Sequence, residues 1–206
     1  MTLRPDLKAI AEFVPESCRV LDVGCGDGEL LAWLKNNKKV DARGVEISQA
    51  GVNSCIARGL SVVQGDADTD LQYYPDKAYD YVILSQTLQT TKNPKQVLEN
   101  LMRIGKNAII SVPNFGYWKN RLYLLFLGRM PVTKTLSYTW YDTPNIHFCT
   151  LSDFVELCEA LNIKVEKQVY VDKFGTPSYF QGKGEFANFF GEQGIFMLNS
   201  GDLINA

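Results

Sequence analysis

Residues 20–28 read Val-Leu-Asp-Val-Gly-Cys-Gly-Asp-Gly, and Glu46 follows at the end of the next apolar run. A short apolar strand that empties into alternating glycines and then into a leucine-bearing helix start is a strand–loop–helix unit. The strand that follows returns parallel to the first, so this stretch commits the chain to a parallel sheet with helices on its faces. Glycines in the loop let the backbone approach a ligand where a Cβ would stand in the way. An acid about 20 residues further on, ending the second strand, is placed to accept hydrogen bonds from ribose hydroxyls. The expectation is a site for an adenosine-containing cofactor.

The alternation continues along the chain. Residues 19–23, 42–47, 60–64, 79–84 and 108–112 read as five strands. Helices are predicted from Glu29, over 49–58 with Gly59 as the stop, and from Pro94, where the missing N–H costs nothing at a helix start. Val97, Leu98, Leu101 and Met102 form the buried stripe of that third helix. A late helix is predicted over 152–161, then strands over 163–171 and 195–198. With no helix evident between them, these two strands predict an antiparallel hairpin at one edge. Residues 113–150 break the rhythm with prolines, glycines and many aromatics. They read as an insertion over the carboxyl end of the sheet, where ligands bind in such folds.

The 206 residues suffice for one domain with a full core, and at 46% hydrophobic and 21% charged a folded globular chain is expected. The net charge of −2 comes without any lysine- or arginine-rich block, so nucleic acid is not an expected partner. Five cysteines at 18, 25, 55, 149 and 158 include no C-x-x-C pair, which argues against a disulfide framework or a metal site and for a reducing compartment. The N-terminus lacks the apolar core of a signal peptide, and the longest apolar stretch, near 122–127, is far too short for a membrane span. The expected location is cytoplasmic.

Four further features bear on the cofactor. Asp22 lies near the end of the first strand, two residues before Gly24. A dinucleotide has no use for a carboxylate there, whereas a cofactor with a cationic amino-acid end does. Glu46 ends the second strand, and Gly65-Asp66-Ala67 ends the third, where an acid can reach the exocyclic amine of an adenine. Asp80 opens the fourth strand, which ends in Leu84-Ser85-Gln86. Each also has a structural reading. Asp22 can hold the loop, Glu46 can sit at a helix N-terminus, Asp66 and Ser85 can cap, and Asp80 can be a structural anion.

The set resembles the class I S-adenosylmethionine-dependent methyltransferases from Val20 through Val112. The resemblance implies a single-domain α/β Rossmann-like fold over residues 1–206, with a seven-stranded, mostly parallel sheet and helices on both faces. It implies that Asp22, Gly24, Cys25 and Gly26 border the methionyl end of S-adenosylmethionine and that Glu46 and its neighbour Ile47 meet the ribose side. Asp66 and Ala67 would lie at the adenine edge, and Ser85 and Gln86 beside the methionine portion. S-adenosylhomocysteine would be the product. Val-Pro-Asn-Phe-Gly-Tyr-Trp-Lys at 112–119, Gly-Arg-Met-Pro-Val-Thr-Lys at 128–134 and Trp-Tyr-Asp-Thr-Pro-Asn-Ile-His-Phe-Cys-Thr at 140–150 narrow the likeness. With Ser-Gln-Thr-Leu-Gln at 85–89 and Arg-Pro-Asp-Leu at 4–7, they resemble the methionine biosynthesis protein MetW family over roughly residues 4–172. That resemblance implies association with a homoserine O-acyltransferase, and methylation of an unidentified small molecule only by fold.

Within the insertion, His147 is the only histidine and is a candidate base for an acceptor alcohol or amine, against a packed residue with one hydrogen bond. Tyr117, Trp118, Trp140 and Tyr141 can line an acceptor pocket, form a partner surface or simply pack. Arg121, Arg129 and Lys134 can meet an anion or stay solvated. Cys25, Cys55 and Cys158 read as small packed residues. Three functions compete: a methyltransferase, a cofactor-sensing accessory subunit of the acyltransferase, and a nicotinamide-dependent (NAD) oxidoreductase.

Overall fold

The computed structural model describes residues 3–133, 135–172 and 174–199. The elements run α1 (Pro5–Phe13), β1 (Arg19–Val23), α2 (Glu29–Lys38), β2 (Asp41–Glu46), α3 (Gln49–Ala57), β3 (Ser61–Gln64), β4 (Tyr79–Ser85), α4 (Pro94–Ile104) and β5 (Gly105–Pro113). They continue with α5 (Trp118–Leu127), α6 (Leu151–Ala160), β6 (Lys164–Val171), β7 (Pro177–Tyr179), α7 (Glu185–Phe190) and β8 (Gln193–Asn199). The strands form one sheet in the order β3-β2-β1-β4-β5-β8-β6-β7. β1 to β5 are parallel, and β8 is antiparallel to both β5 and β6. The chain steps outward from β1 to β3 and then returns to lay β4 on the other side of β1. The crevice between β1 and β4 is therefore the switch point at which such sheets hold ligands.

Side-chain alternation sorts the core into two layers. Leu21, Val23, Val82, Leu84, Ile110, Val112 and Leu198 pack with α4 and α6 on one face. Val20, Ile83, Ile109, Ile195 and Met197 pack with α1 and α2 on the other. A period of two within apolar strands is what a sheet covered on both faces requires. Asp22 shares the parity of Val20, so it stands among apolar neighbours on the α2 side.

The sheet has the expected class, with three differences. The two late strands pair antiparallel as expected but not as a hairpin at the edge: β8 lies between β5 and β6, and β7 and α7 occupy the connection. β7 adds an eighth strand among the described residues, three residues long and opened by Pro177, which suits an edge. The insertion is not wholly irregular, since it opens with α5. At the amino end of the sheet, Asp80 accepts from the Arg19 N–H at 3.0 Å and from Lys106 Nζ at 2.8 Å. Those two interactions, the Lys106 contact first, hold its carboxyl down to about 2. Asp80 is thus a structural anion, remote from the loop at 24–28.

Candidate functional site

The carboxyl ends of β1, β2 and β4 converge on the glycine loop. Gly24 N–H and Cys25 N–H both donate to the Val45 carbonyl, at 2.8 and 3.2 Å, folding the loop back over β2. Gly24 has φ +71° and a Cβ there would stand 2.6 Å from Thr87 Oγ1, so neither the backbone nor the space admits another residue. Gly26, at φ +58°, has nothing within 4 Å of where its Cβ would be. One glycine packs against its own protein and the other faces open space, the arrangement of a backbone cradle.

Glu46 ties the site together. It is buried, Oε2 accepts from Gly26 N–H at 2.9 Å, and Oε1 accepts from Ser48 N–H at 2.9 Å. Each oxygen keeps a second lone pair, so the carboxylate is oriented without being saturated. Ile47, next in sequence, is an exposed apolar side chain. Asp22 is buried, and its Oδ1 has no hydrogen-bond partner. Burial, and then the negative charge of Glu46, push its carboxyl up to about 8. Cys25 turns inward, since a Cβ on Gly44 would meet its sulfur at 2.7 Å. Burial, with Asp22 next, drives its thiol far above the ordinary range, so it is a packed group rather than a nucleophile.

At the end of β3, Asp66 Oδ1 accepts from Asp68 N–H at 2.9 Å, the turn-capping role open to it, and Ala67 packs against the α4 side of the core. Ser85 Oγ and Ser111 Oγ lie 3.1 Å apart, and Gln86 N–H donates to Ser111 Oγ at 3.1 Å. Gln86 adopts φ +52°, unusual for a side-chain-bearing residue, and its amide donates to Gln193 Oε1 at 2.9 Å. Such strain persists only where neighbours enforce it, and here β5 and β8 do so. Beside Gln86 runs an open groove of about 440 Å³, bordered by Arg4, Asp6, Asp172, Glu192 and Gln193.

The insertion reaches this site at Gln89 and at Thr135, which lines the groove beside Gln86. Gln89 donates its amide to the Gln86 carbonyl at 2.8 Å, and its own carbonyl accepts from Ile146 and His147 N–H at 3.0 and 3.1 Å. His147 therefore comes near by its backbone while its side chain is exposed. Lys134 lies outside the described residues. Among the described residues, no cluster of three or more His, Cys, Asp or Glu is arranged to hold a metal.

The description "Methionine biosynthesis protein MetW" belongs to the family model that matches residues 4–198. The chain belongs to the MetW family. A bifunctional methionine biosynthesis protein MetXA/MetW of Rhodopirellula baltica is 34% identical over 181 residues. That match takes in 84% of this chain but only 29% of the longer relative. Among solved structures, an S-adenosylmethionine-dependent methyltransferase from Thermotoga maritima superposes with a TM-score of 0.70 at 19% identity, covering 95% of this chain and 87% of the other. The [4+2]-cyclase SpnF superposes at 0.63 and 16% identity, covering 95% and 79%. At these identities the likeness is one of fold, and the same fold serves more than one chemistry.

In this MetW-family chain the structure also brings to the candidate site Thr87 and Gln89, from the quoted 85–89 segment, and Ser111 and Gln193, which sequence reasoning missed. Ser111 left a readable signal, a hydroxyl at a fully buried position inside the apolar run 108–112. Gln193 left none, because its place beside Gln86 depends on β8 crossing to pair with β5.

Proposed function

We propose that this chain binds S-adenosylmethionine at the carboxyl ends of β1 and β2 and acts in methionine biosynthesis with a homoserine O-acyltransferase. Asp22 carries the cofactor reading. A buried carboxylate with an unpaired oxygen, set at the switch point of the sheet, is stabilised by a cation brought to it. A pyrophosphate would bring further negative charge toward Asp22 and Glu46, which disfavours NAD.

The residues fit the group. Asp22, Gly24, Cys25 and Gly26 would border its cationic methionyl end, and the free lone pairs of Glu46 would accept from the ribose hydroxyls. Ile47 offers an apolar surface for the adenine, with Asp66 and Ala67 at its edge. Ser85 and Gln86 lie toward the methionine portion, held by Ser111 and Gln193. When bound, the cofactor supplies an electrophilic methyl group on a sulfonium. In this reading residues 1–206 are one domain, 113–150 its insertion, and the cytoplasm its location.

The partner reading is supported by the fused relative, which joins MetXA to MetW in one chain. A second reading, methyl transfer to a small molecule, is favoured by the groove beside Gln86, which has room for an acceptor. Calorimetry with S-adenosylmethionine, S-adenosylhomocysteine and NAD tests the cofactor, and co-elution with the acyltransferase tests the partner. S-adenosylhomocysteine accumulating with the groove's ligand would favour methyl transfer, whereas binding without turnover favours an accessory subunit that senses the cofactor.

A further inference from the structure

α5 projects from the sheet with its apolar side chains in solvent. Leu122, Tyr123, Leu124, Leu125, Phe126 and Leu127 are consecutive, and all six are exposed, Leu125 at 73% and Phe126 at 74%. Six successive helical residues span more than one full turn, so this segment is apolar all round. Of the helix, Asn120 alone is buried. The root is fixed: Asn120 Nδ2 donates to the Asn114 carbonyl at 3.2 Å, and Arg121 Nε donates to the Gly116 carbonyl at 2.5 Å. Beyond Gly128 the surface continues into an open groove of about 530 Å³ lined by Met130, Val132, Trp140 and Tyr141. A contiguous apolar surface on this scale marks an interaction site.

The surroundings are basic. Residues 113–141 include Lys119, Arg121 and Arg129 and no Asp or Glu, and the one adjoining acid, Asp142, accepts from Thr139 Oγ1 beside the groove. Among the described residues, neither Lys119, Arg121 nor Arg129 enters a salt bridge. A helix lying in a membrane surface needs a polar face turned to water, and residues 122–127 have none. A helix apolar on every side fits a groove that wraps it.

We infer that the α5 tip, with the Trp140–Tyr141 groove, is the surface on which the homoserine O-acyltransferase docks, through an apolar groove rimmed by carboxylates. The inference rests on the partnership proposed above, since a relative that joins the two units in one chain keeps them within contact range. The charge pattern then specifies what the acyltransferase presents.

The test is light scattering and binding titration with the purified acyltransferase, comparing the full chain with the double variant Leu125→Glu/Phe126→Glu and with Arg129→Glu. All three should bind S-adenosylmethionine equally, which also reports that they fold. The double variant should lose about 100-fold or more in affinity for the acyltransferase. Arg129→Glu should weaken binding and flatten its salt dependence. Equal acyltransferase binding by the parent and the double variant would refute the α5 surface and leave the partnership standing. No binding by the parent would remove both. Self-association, or flotation with anionic phosphatidylserine vesicles, lost in the double variant while acyltransferase binding persists, would assign the face to a second copy or to a membrane and overturn the inference.

Discussion

Asp22 is the residue on which the proposed cofactor site turns. An aspartate in an unfolded chain titrates near 4, whereas burial and Glu46 raise it here to about 8. Between those values the folded protein holds a proton that the unfolded chain has released. This group's contribution to stability therefore falls as pH rises from about 4 to about 8. Asp22→Asn should make the unliganded protein more stable than the parent at pH 8 and flatten its melting temperature between about pH 5 and pH 8. The same substitution should weaken S-adenosylmethionine binding. A cation beside Asp22 lowers its pKa, so binding below about pH 8 should release a proton and affinity should strengthen with pH up to that point. Calorimetry in two buffers of different ionisation enthalpy counts that proton. Glu46→Ala should cost about 1.5–3 kcal/mol of binding, the range for hydrogen bonds to a charged group. Because Glu46 also holds Gly26 and Ser48, its variant should lose melting temperature as well, whereas Asp22→Asn should not.

At the scale of elements, the two ends of the sheet have separate duties. The loop at 24–28 leaves open space at Gly26. Gly26→Ala should place a methyl in that open space and destabilise the protein by about 1–2 kcal/mol through its left-handed backbone. Cofactor affinity should fall by more than this strain explains, as titration would show. At the other end, Asp80→Ala should lower thermal stability at neutral pH and leave cofactor binding unchanged. Asp80 is held near 2, so its contribution is present above about pH 4 and fades as pH falls toward 2, where the two melting curves should meet. The strands and the loop were legible because apolar runs bounded by glycine have no other good fold. β1 occupies the predicted residues, and Asp22, Glu46 and Gly26 come together as their spacing implies. α1 left a signal that went unread, Pro5 in the first turn followed by Leu7, Ile10 and Ala11 on a buried face. The place of β8 and the Gln86–Gln193 contact were not legible, because non-local pairing leaves no local period.

For the whole molecule, the proposed ligand site lies at the carboxyl end of the sheet, and the insertion is buried at its root and exposed at the α5 tip. The Gln86–Gln89–Ile146 chain of hydrogen bonds connects them, so a partner seated on the insertion has a physical route to the proposed cofactor site. If docking changes cofactor affinity, the cofactor must change docking affinity by the same factor. Titrating the acyltransferase with and without S-adenosylmethionine would read that factor in one direction, and titrating cofactor into the complex would read it in the other. At the heart of the proposed site, a buried acid and an oriented acid beneath a bare glycine would hold S-adenosylmethionine. Isothermal calorimetry of the parent protein at pH 8 is the decisive measurement of that binding. Saturable binding of S-adenosylmethionine is expected, lost or much weakened in both Asp22→Asn and Glu46→Ala, with no heat from NAD. Binding of NAD alone, or S-adenosylmethionine binding untouched by either substitution, would contradict it.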